Sequence, residues 1–165
     1  MPPLKTKIRK AIEDSILTMT TAGGYNFDWT SNNRDLALST FPNFYVRIPI
    51  EQNLDFDNEE TNFQSYDNMA EVEIMVTTKN SESGYDPQRI GEDELDLAED
   101  DLKKLFGDSG QSGSPLAQAG ADMFQYMSSE TTYFQSNDIF TPEHRIFKFR
   151  LQYTQDRLNP EQIAC

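Results

Sequence analysis

The sequence predicts an α/β fold, more narrowly α+β: one domain over residues 1–165, with an antiparallel sheet of about four strands packed by two helices. Three observations predict it. Residues 43–50, 63–79 and 144–154 alternate apolar and polar side chains with the two-residue period of half-buried strands. Residues 3–20 and 92–106 repeat apolar side chains at helical spacing. A chain of 165 residues holds one core and buries roughly 70% of the surface its unfolded form exposes.

The first helix follows from Leu4, Ile8, Ala11, Ile12, Ser15, Ile16 and Met19, with Pro3 suited to its first turn and Gly23 and Gly24 to its end. Lys5, Lys7, Arg9 and Lys10 fall in its first half, where the helix dipole opposes cations, so either a nearby acid or solvent must compensate them. In the first long strand Phe44, Val46, Ile48 and Ile50 are placed on one face, and Tyr45, Arg47 and Pro49 on the other. Pro42 and Pro49 cannot donate ladder hydrogen bonds, which predicts an edge position or strand ends. In the second strand Ala70, Val72, Ile74 and Val76 oppose Glu71, Glu73, Met75 and Thr77.

Residues 81–91, with Gly84 and Pro87, read as a loop. The second helix over 92–106 places Leu95, Ala98, Leu102 and Leu105 on one face, acids in its first turns, Lys103 and Lys104 in its last, and Gly107 after it. Residues 107–122, rich in Gly, Ser and Ala, read as a flexible loop. Residues 123–127 and 131–135 form one interrupted strand or two arms of a hairpin. In the last strand Phe147, Phe149, Leu151 and Tyr153 alternate with Ile146, Lys148, Arg150 and Gln152, and residues 155–165 read as a tail.

The apolar fraction of 36% is low, but eleven Phe, seven Tyr and one Trp supply much buried area per residue, which predicts a folded centre with extensive loops. The net charge of −14 is uneven: residues 51–101 hold seventeen acids against Lys79 and Arg89, leaving the rest close to neutral. Basic ends and an acidic middle predict that copies meet in complementary register, with Lys5, Lys7, Arg9 and Lys10, or Arg145, Lys148 and Arg150, facing Glu92, Asp93, Glu94 and Asp96 of a neighbour. A solvated acidic surface is the plain alternative. One cysteine excludes an internal disulfide framework and a thiolate metal cluster. No apolar run reaches a membrane span, and the basic first twenty residues lack the apolar core of a signal peptide, which predicts assembly in a cytoplasm.

Catalytic and cofactor patterns are missing from the sequence. His144 stands between Glu143 and Arg145 without a nucleophile motif and reads as a surface or capping histidine. Neither glycine group carries a phosphate-loop ending. Asp55, Asp57 and Glu59 begin like a calcium loop, yet Glu60 replaces its glycine and Tyr66 its terminal glutamate. The expectation is a protein without enzymatic activity, cofactor or metal.

Tyr25, Asn26, Asp28 and Trp29, then Phe41 and Pro42, then Tyr66 and Asn68 before the second strand, followed by an acidic helix and an aromatic last strand, give an order that resembles the tail terminator (tail completion) proteins of long-tailed bacteriophages. That resemblance, over residues 4–154, implies an α/β fold and a virion ring, as a rule hexameric. The ring caps the tail tube, stops its growth, and docks to neck or connector proteins. It implies as partners other copies of the chain, the tail tube protein and the neck, with basic residues lining the lumen touching passing DNA weakly. The long loop and the acidic excess depart from a minimal member. Two other readings stay open: a neck connector or head-completion protein, and an acidic DNA mimic that inhibits a nucleic-acid enzyme.

Overall fold

Alternation and helical periodicity become seven elements among the residues that the computed structural model describes, which are 2–22, 43–53, 65–79, 87–107, 114–133 and 142–156. In chain order they are α1 (Leu4–Ala22), β1 (Asn43–Asn53), β2 (Ser65–Lys79), α2 (Pro87–Phe106), α3 (Pro115–Ala119), β3 (Ala121–Tyr133) and β4 (Pro142–Asp156). The strands form one antiparallel sheet in the order β1-β2-β4-β3. The predicted α+β architecture is therefore what the chain adopts, with β1 at an edge, one of the two placements its prolines allow.

The core lies on one face of the sheet, and the register defines its rows. Phe44, Val76, Arg145 and Thr131 align across the four strands, then Val46, Ile74, Phe147 and Ser129, and further along Ala70, Leu151 and Phe124. Against these rows pack Leu4, Ile8, Ile12, Ile16 and Met19 of α1, and Leu95, Ala98, Leu102 and Phe106 of α2, all buried. At the centre Phe149 stacks on Phe124 with ring centroids 4.6 Å apart, while Phe106 and Tyr126 present their edges at 5.6 Å. Stacked and edge-on rings match the quadrupoles of neighbouring aromatics, so a few of them hold a core that composition alone makes thin.

Departures from the predicted strands concentrate at the sheet edges. β2 and β4 pair in unbroken register from Ser65 opposite Asp156 to Lys79 opposite Pro142. β1 slips between Arg47 and Ile50, and β3 slips twice, between Ala121 and Met123 and between Tyr126 and Ser128. An extra residue in one strand reverses the faces of all that follow. Ile50 therefore leaves the core face assigned to it and is 58% exposed, and Glu51 takes the helix side opposite Ala70. The segment 121–133 is one interrupted strand, not a hairpin.

Both expected loops are partly helical. α2 begins at Pro87, five residues before the predicted start, because proline at the first helical position costs nothing when its missing N–H would be unpaired anyway. In the stretch 107–122, expected to be flexible, Ser114 caps α3: its Oγ accepts from Ala117 N–H at 3.2 Å, Pro115 follows, and Gly120 closes the helix at φ 113°. Residues 108–113 of that stretch lie outside the described residues. Gln155 and Asp156, expected in the tail, belong to β4.

Candidate functional site

All three helices lie on one side of the sheet, and no described element lies over the other, where Glu73, Thr77 and His144 are nevertheless buried. On that second face the register aligns Tyr45, Met75, Ile146 and Glu130, then Arg47, Glu73, Lys148 and Ser128, then Ile50, Glu71, Arg150 and Gln125. Opposite charges face each other across the strands, while like charges follow along each strand: Glu71 and Glu73 on β2, Lys148 and Arg150 on β4. Arg47 binds Glu73 through Nε at 2.6 Å and a terminal nitrogen at 2.5 Å, and that hydrogen bond, with the carboxylate charge, raises the guanidinium pKa against desolvation. Lys148 Nζ lies 3.9 Å from Glu71 Oε1. Arg150, exposed in the same block, has no ion-pair partner among the described residues. These three rows thus hold three cations, Arg47, Lys148 and Arg150, against three acids, Glu71, Glu73 and Glu130.

The helix layer carries the opposite pattern. α2 turns Asp93, Leu97 and Asp100 to solvent at positions i, i+4 and i+7, one stripe of its surface. Leu97 is 41% exposed, and neither Asp93 nor Asp100 has an ion-pair partner among the described residues. Glu94, turned partly inward, has its carboxyl raised by burial.

Of the predicted basic and acidic groups, Arg145 and Asp96 meet within the chain. Arg145 lies under α2 with its side chain 9% exposed, its NH1 2.6 Å from Asp96 Oδ1 and 3.7 Å from Glu99 Oε2, and its Nε donating to Thr131 Oγ1 at 2.9 Å. Burial alone would raise the Glu99 carboxyl. Hydrogen bonds from Tyr126 at 2.5 Å and Ser129 at 3.1 Å, with Lys103 and Arg145 nearby, outweigh it and hold that carboxyl below its usual range. Burial, and then the bond to Glu99, raise the Tyr126 phenol. Lys5 reaches Glu51 at 3.0 Å, the compensating acid that its place near the start of α1 demanded. Arg145, Lys148 and Lys5 thus each have a carboxylate of their own chain within 4 Å. Arg9 is half-buried and Lys10 exposed on α1.

His144 departs furthest from its expectation as a surface or capping residue. It is buried in β4 with Nδ1 2.6 Å from Thr77 Oγ1, and burial lowers its pKa. Register places it opposite Thr77, a fact that sequence position does not reveal. Of the residues carrying the family resemblance, Tyr25, Asn26, Asp28, Trp29, Phe41 and Pro42 lie outside the described residues, as do Asp55, Asp57 and Glu59. Tyr66 and Glu92 are described only as members of β2 and α2. Asn68 is buried, its Nδ2 donating to Gln155 Oε1 at 2.8 Å, so it fixes the end of the β2–β4 pair.

A groove of about 420 Å³ opens between α1, the end of α2 and α3, lined by Ala11, Leu105, Phe106, Pro115 and Leu116 together with Asp14, Ser15, Thr18 and Ser114. Ser15 and Thr18 donate their hydroxyls to Ala11 O and Asp14 O of their own helix, both at 2.7 Å, and the Ser114 hydroxyl caps α3. Among the described residues Asp14 is the only ionisable group lining it. Among the described residues no three His, Cys, Asp or Glu side chains converge on a metal-sized space, and no helix is long and apolar enough to cross a membrane. No protein-family model matches the chain, and no curated protein matches it.

Proposed function

We propose that this chain is a non-catalytic structural protein of a phage virion. Copies of it close into a ring, hexameric by the family resemblance, that caps the tail tube, halts its growth and offers the neck a docking surface. The observation that carries this reading is the one-sided architecture. No described element lies over the second face of the sheet, and that face carries rows of paired charge, with Glu73, Thr77 and His144 buried in it. Flat, polar, register-fixed surfaces serve protein partners, whereas chemistry needs convergent groups in a concavity. The hydroxyls of the groove beside α1 are engaged by backbone, and among the described residues Asp14 has no basic partner lining that groove. That sheet face on one side and an acid-striped helix on the other also suit a heterologous contact, the kind that builds rings.

The sequence departs from DNA mimicry because its acids lie among cations: Arg47, Lys148 and Arg145 each have a carboxylate within 4 Å. Location in the virion, with assembly in the host cytoplasm, follows from the same proposal. Negative-stain imaging of the purified chain, alone and mixed with tail tubes, tests it: a ring seated at one tube end is expected. Tubes that grow and terminate normally without bound protein refute it.

A further inference from the structure

We draw no further inference here: the strongest candidate, the largely apolar groove between α1, the end of α2 and α3, carries nothing because nothing in the structure shows what covers it.

Discussion

Replacing Arg145 by methionine measures what the buried network under α2 contributes. Two bonds are lost: the charge-assisted contact to Asp96 at 2.6 Å and the one to Thr131 at 2.9 Å. A bond to a charged group contributes roughly 1.5–3 kcal/mol and a neutral one roughly 0.5–1.5. Asp96 is largely exposed and regains water, so the first value is discounted towards that of a surface pair. Glu99 keeps Tyr126, Ser129 and Lys103, and the methionine fills the apolar shaft of the arginine. The net cost is about 2 kcal/mol, which at 2–4 °C per kcal/mol for a chain of this size lowers Tm by about 4–8 °C. Urea denaturation followed by circular dichroism, at two protein concentrations tenfold apart, reads it. The loss should be equal at both, and the cycle with Asp96→Asn should show coupling of about 1 kcal/mol. An unchanged midpoint refutes the reasoning, and a loss that grows with protein concentration moves the partner of Arg145 into another copy.

Phe149→Ala removes the ring against which Phe124, Phe106 and Tyr126 all pack, and should cost about 3–5 kcal/mol in the same denaturation. Ile50→Asp should change stability by less than about 0.5 kcal/mol, while Val46→Asp, two rows away on the core face, should abolish cooperative unfolding; equal effects would deny the slip in β1. His144 has a folded-state pKa depressed by burial, so its neutral form contributes stability that is present above the ordinary value of 6.5 and is lost as pH falls through it. Titrating the urea midpoint from pH 8 to about pH 5 should show that slope, reduced in His144→Asn. Gly120→Ala puts a side chain at φ 113° and should cost about 1–2 kcal/mol, against about 1 kcal/mol for Ser114→Ala, as measured by shifts in Tm.

Where one period governs a whole element, the sequence is a sufficient guide. Phe147, Phe149, Leu151 and Tyr153 line the core as their alternation required, and the same holds for Val72, Ile74 and Val76. The pattern misleads at Ile50, because alternation carries no mark for an inserted residue; Pro49, inside the slip, was the available signal. Ser114, Pro115 and Gly120 spell a capped helical turn, but Gly and Ser elsewhere in the stretch mask it. The network of Arg145, Asp96 and Glu99 was legible as two charge groups and not as one site, since local sequence leaves open whether opposite charges meet within a chain or between chains. Glu99 and Tyr126 went unnoticed because nothing in their spacing relates a helix to a strand 27 residues later.

Unbroken pairing of β2 with β4, flanked by strands that each skip a step, grades the backbone's resistance to opening from the middle of the sheet outwards. Amide protons along that central ladder should therefore be the last to trade with deuterium, while those near the slips trade by local fluctuation without global unfolding. In the proposed ring, any load passed from copy to copy would then reach the margins of each first and leave its middle intact.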